Sequence, residues 1–168
     1  MRIILLFLLC SINALLAQRI VPIEIEGSDF VVVPFNNFLK AGNQDSGLKF
    51  VNTKNGSVRV ETFEGDSNIR LLEQVRIDSL QINEIMVLTQ KVSVSKGKAD
   101  LGSTLMLFTA DGKLLKKNVF AKTVTSVINN KRTGKLLLVS SELAKGPREN
   151  PDVLYLYDLA TNTFIELK

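Results

Sequence analysis

TLMLFTADGKLLKKNVF, residues 104–120, joins an unbroken apolar run, an Asp-Gly pair and a second run in which apolar and charged residues mix. The pair Asp111-Gly112 reads as a hairpin turn, because two-residue hairpin turns need backbone at positive φ, which Gly and Asp tolerate best. The run before the turn decides more. A strand with one wet face alternates apolar and polar residues; LMLF does not alternate, so both of its faces should be covered.

The same plan of apolar strand, polar loop, apolar strand, tight turn and strand is found three times. The first copy is FVVVPF (30–35), the loop NNFLKAGNQDSG and LKFVNTKNGSVRVETF (48–63). The second is EIMVLTQ (84–90), the loop KVSVSKGKADLGS and residues 104–120; the third is KLLLVSSEL (135–143), the loop AKGPRENPD and VLYLYDLATNTFIELK (153–168). Their turns fall at Asn55-Gly56, Asp111-Gly112 and Thr161-Asn162, 56 and then 50 residues apart, a spacing that points to a repeat. An apolar stretch precedes each copy: IVPIEI (20–25), IRLLEQVRI (69–77), which also fits a short helix, and VFAKTVTSVI (119–128). The expectation is an all-β domain over 18–168 with antiparallel four-stranded units at about 20–63, 69–120 and 121–168.

VVV, IMVL, LLLV and LYLY share the non-alternating character of LMLF. A two-layer sandwich covers one face of each sheet. Sheets stacked face to face around an axis cover both faces of their inner strands, as propeller blades do. The third unit, NNKRTGKLLLVSSELAKGPRENPDVLYLYDLATNTFIEL (129–167), resembles a blade of the TolB-like and related β-propellers: a Gly turn, a buried strand, a variable loop, a strand ending near Asp158 and a final hairpin. The chain has no Trp and neither a WD dipeptide nor a kelch-type Gly pair, so the pattern is generic to blades. The resemblance implies a partial β-propeller. Propellers close with about four to eight blades, so a homodimer, a partner protein or further sequence would complete the array. The alternative architecture is a β-sandwich or barrel that uses similar hairpins.

The first seventeen residues, MRIILLFLLCSINALLA, have Arg2, an apolar core from Ile3 to Leu9 and a small residue before Gln18, which is the pattern of a secretory signal peptide cut after Ala17. Ser11 and Asn13 leave the apolar run shorter than the roughly 20 residues of a membrane span. The LLAQ junction resembles export leaders of the Bacteroidota. Cys10 offers a lipoprotein reading, but the residue before it is Leu9, where a small residue is normal. Removal of Cys10 with the leader would take away the chain's one thiol, and with it disulfides and thiolate chemistry. The expected location is the periplasm or the cell exterior.

The formal charge is +4, with seven basic and nine acidic residues in 18–80 against thirteen and eight in 81–168. His is absent, which removes the commonest general base near neutral pH and the commonest metal ligand. No cofactor or metal site is expected. Ser93 and Lys96 form an S-x-x-K spacing, yet VSVSKGK lacks the helix that this dyad needs. The basic residues lack the interleaved aromatics of single-stranded nucleic-acid sites, so no nucleic-acid partner is expected. Asn55-Gly56-Ser57 fits a glycosylation sequon and is better explained as a turn.

Two functional readings remain. The loops between second and third strands carry Lys40, then Lys91, Lys96 and Lys98, then Lys145 and Arg148. On one rim they would meet an anionic polymer or an acidic envelope protein, and loops held by a rigid scaffold are common binding sites. The chain then reads as an exported binding or assembly module. The alternative is a carboxylate-dependent hydrolase acting on glycans, with Asp29 and Glu84, each opening the second strand of a unit, as the candidate acid pair.

Overall fold

The computed structural model describes residues 20–38, 44–63, 67–95, 98–120, 123–130, 132–141, 153–161 and 163–167. Within them the apolar runs become the inner strands of three separate four-stranded sheets. Sheet I holds β1 (Ile23–Glu24), β2 (Phe30–Phe38), β3 (Gln44–Asn52) and β4 (Val58–Phe63). Sheet II holds β5 (Ser67–Ile77), β6 (Ile82–Ser95), β7 (Lys98–Phe108) and β8 (Leu114–Phe120). Sheet III holds β9 (Thr123–Asn130), β10 (Lys135–Ser141), β11 (Val153–Asp158) and β12 (Thr163–Leu167). Within each sheet the strands lie in chain order and pair antiparallel, and among the described residues no sheet closes into a barrel.

Three expectations need correction. IRLLEQVRI is not a short helix: β5 pairs along its length with β6, and Ile69 packs toward sheet I while Val75 and Ile77 pack toward sheet III. A short helix buries one stripe, whereas a strand between two sheets buries both faces, which suits Ile and Val. The loop KVSVSKGKADLGS is mostly strand, with Val92 opposite Leu101 and Ser93 opposite Asp100, and only residues 96–97 fall outside the description. In strand, Ser93 cannot set a lysine one helical turn away. Finally, the Asn-Gly and Asp-Gly turns are longer than two residues. The Thr109 N–H donates to the Lys113 carbonyl across three residues, and the Asn52 N–H donates to Ser57 across four. Gly56 (φ +74°) and Gly112 (φ +87°) alone supply left-handed backbone there, in loops of the kind that place one such residue before the returning strand.

The sheets stack face to face, with sheet II in the middle. Ile85, Val87, Met106 and Phe108 of sheet II pack on Val32, Leu48 and Phe50 of sheet I, and the rings of Phe50 and Phe108 lie 5.6 Å apart. Residues of opposite parity, Met86, Leu88, Leu105 and Leu107, pack on Leu136, Leu138 and Tyr157 of sheet III. Period-two alternation sends successive side chains to opposite faces, so a run that is apolar at every position is what a strand covered front and back requires. Val87 (0% exposed) and Leu107 (3%) meet that requirement.

Two buried serines at matching places tie each sheet to the next. The Ser46 hydroxyl of β3 donates to the Ser67 carbonyl at the start of β5, and Ser103 Oγ of β7 accepts from the Val124 N–H of β9 at 2.9 Å. Outside the core, Arg76 bridges Glu26 of the β1–β2 turn (2.7 Å) and Asp78 (2.8 Å), which joins sheets I and II at the surface.

Candidate functional site: the two outer sheet faces

Of the basic rim residues, Lys40, Lys96, Lys145 and Arg148 lie outside the described residues. Lys98 opens β7 opposite Ser95. Lys91 is exposed in β6, in register with Ser67 and Gly102, and lines a cleft of about 280 Å³ together with Glu61 and Lys117. Glu61 on the same lining, where it pairs with Arg59, makes that cleft mixed in charge, which does not single out an anionic ligand.

The two candidate carboxylates face different places. Asp29 sits on the β1–β2 turn, where its carbonyl accepts from Thr53 and its cleft is shared with Glu24 and Glu26. Glu84 shares the parity of Met86 and Leu88 and points toward sheet III, where burial raises its carboxyl above the ordinary value and leaves Oε2 without a partner among the described residues. Burial, and then the charges of Glu84 and Asp158, also push the Tyr157 hydroxyl up. The Lys116 ammonium lies 4.8 Å from the Tyr157 ring centre and 5.8 Å from that of Phe164, and desolvation lowers its pKa. Tyr157 and Phe164 stack at 4.3 Å, so this cluster is a cation on an aromatic pair inside the sheet II–III interface. No described cleft is lined by both Asp29 and Glu84. A larger cleft of about 600 Å³ between sheets II and III is lined by Arg70, Gln90, Thr125 and Ser126, with no carboxylate among its described lining residues.

The outer faces of the stack carry the stronger signal. Asn52, Thr109 and Asp158 each close the turn between the third and fourth strands of their sheet. Counting back from them aligns the sheets: Val51 with Phe108 and Tyr157, then Phe50 with Leu107 and Leu156. Cross-strand register extends the alignment to Val31, Ile85 and Leu136, and to Val32, Met86 and Leu137. Each sheet thus has a leading face, which looks toward the preceding sheet, and a trailing face, which looks toward the next. On sheet II both faces are buried. Among the described residues, nothing lies on the leading face of sheet I or the trailing face of sheet III.

The centres of those two faces are apolar. Sheet I presents Val31, Val33 and Val51, each half-buried, beside Val58 (53% exposed) and Val60 (52%). Sheet III presents Leu137, Val139, Leu154 and Leu156, each half-buried, beside Ile128 (55%) and Ile165 (53%). Among the described residues, both-sided covering is therefore met by sheet II and not by VVV, LLLV or LYLY. One departure from the apolar pattern is Lys49, where sheet II has Met106; its ammonium lies 5.6 Å from the Phe35 ring centre, so its stem lies along the face. The LYLY run implies a cover over Leu156 that no described residue provides, since parity reveals how many faces are apolar and not what lies against them.

Comparison of the chain with protein-family models, with curated proteins and with solved structures gave no match.

Proposed function

We propose that this chain is an exported all-β assembly module of the bacterial envelope, made to be joined at both ends of its sheet stack. The observation that carries this reading is that Leu156, Leu154, Val51 and Val31 are half-exposed at positions whose counterparts in the other sheets are shut away from water. Contiguous apolar patches of this kind mark interaction surfaces, because leaving them wet forfeits the hydrophobic gain of covering them. Export is supported by the leader-like residues 1–17, and the blade resemblance of residues 129–167 supports a face-to-face mode of joining. Recovered from the envelope fraction of cells that export it, the protein should sediment as a species heavier than a single processed chain, and Leu156→Lys should release it. Recovery at single-chain mass, with both outer faces open to an apolar footprinting reagent, would retire the reading.

A further inference from the structure

We infer that the partner is a second copy of this chain, docked head to tail: the trailing face of sheet III in one protomer covers the leading face of sheet I in the other. The inference rests on the assembly reading above and names its partner. Within one chain the joint is made twice in the same sense, trailing face of I on leading face of II, then trailing face of II on leading face of III. The free trailing face offers Leu137, Leu154 and Leu156 where the buried ones offer Val32, Leu48 and Phe50, or Met86, Leu105 and Leu107. The free leading face offers Val31, Val33 and Val51 where the buried one of sheet II offers Ile85, Val87 and Phe108. A third joint of the same kind therefore has both of its halves on this one chain, at opposite ends of the stack.

Such a contact is heterologous, so it must either close into a ring or run on as a filament. Face-stacked sheets close at about four to eight, and with three sheets per chain two chains give the one whole-number solution in that range. Area argues the same way. Four strands about 4.8 Å apart and five residues of about 3.3 Å each make a flat face of roughly 300 Å² before side-chain relief. One such contact falls well below the roughly 800 Å² per partner of stable complexes, whereas a closed pair engages both faces of each protomer and comes nearer to it, at roughly 600 Å² of flat face. Within the chain Phe50 meets Phe108; their counterparts at the free faces are Leu156 and Val51, which the docking would bring together.

The test is a charge exchange across that pair. The purified protein should sediment at twice the chain mass at micromolar concentration. Leu156→Lys alone and Val51→Glu alone should each fall to single-chain mass with an unchanged strand signal by circular dichroism, since both side chains lie outside the internal core. Mixed one to one, the variants should return to twice the chain mass, because one joint then pairs Lys with Glu and the other is unaltered. The milder Leu156→Ala should weaken dimerisation at least tenfold, which keeps the test open if a charged variant misfolds. A wild-type chain that stays single, a Leu156→Lys variant that still pairs, an open-ended polymer, or a mixture that fails to recover would each overturn the inference. If the purified chain is single while the envelope species is heavier, the partner is another molecule and the assembly reading stands without this one.

Discussion

Glu84 shows how a single strand position can be misread. As the residue that opens EIMVL it resembles a polar strand start facing water, yet it shares the parity of Met86 and Leu88 and is carried with them toward sheet III. That parity was available in the sequence; what sat against it was not. Burial raises the carboxyl above its ordinary value, so the folded state binds this proton more tightly than the unfolded chain does. The stability it allows is then complete below the ordinary carboxylate range and diminishes as pH rises through the raised value. Glu84→Gln, which keeps the neutral shape, should leave thermal stability at pH 4 almost unchanged and raise Tm at pH 8 by about 2 °C. About 1 kcal/mol moves a domain of this size by roughly 2–4 °C, and solvent screening of a half-exposed group keeps the effect at the low end. Thermal melts of both proteins at the two pH values decide it, and an equal offset at both would mean that the carboxylate is fully hydrated.

Strands follow from local signals more readily than the joints between them. Non-alternating apolar runs located β2, β6, β7, β10 and β11, and the three units of four strands fall close to the boundaries that turn spacing suggests. The turns themselves are a residue or two longer than Asn-Gly and Asp-Gly imply, because Asn52 and Thr109 use their side chains to extend them: Asn52 Oδ1 accepts from the Lys54 and Asn55 N–H groups, and Thr109 Oγ1 accepts from the Lys113 N–H. The polar stretch KVSVSKGKADLGS, shared between the end of β6 and the start of β7, looks like loop by composition but pairs as strand, since backbone hydrogen bonds do not depend on apolar side chains. Nothing in the sequence flags Ser46 and Ser103, whose role depends on a contact 21 residues away in each case. Ser103→Ala removes the acceptor for a buried N–H, at a cost of about 1–3 kcal/mol. Ser46→Ala removes a donor to a carbonyl, which tolerates the loss better, so about 1 kcal/mol is expected. Urea unfolding of the two variants should therefore rank Ser103→Ala as the less stable, and equal midpoints would show that the two serines are held by something other than these bonds.

For the molecule as a whole, the decisive comparison is among positions that are alike in sequence context and unlike in surroundings. Phe50, Leu107 and Leu156 occupy the same place in three sheets, and among the described residues the third has no sheet on it. Leu107→Ala empties a closed interface and should cost about 2–5 kcal/mol at any protein concentration, the range for truncating a buried leucine. Leu156→Ala in a lone chain removes a side chain that is already partly exposed and should cost less than Leu107→Ala, about 1–2 kcal/mol. If a second copy covers that face, association adds to stability by mass action, so the wild-type unfolding midpoint should climb with protein concentration. Leu107→Ala should shift the whole curve downward and keep that climb, while Leu156→Ala should flatten it. Unfolding followed at two concentrations thus separates a weaker core from a lost neighbour. A wild-type midpoint that does not move between them would place Leu156 on a surface that water, and not another sheet, covers.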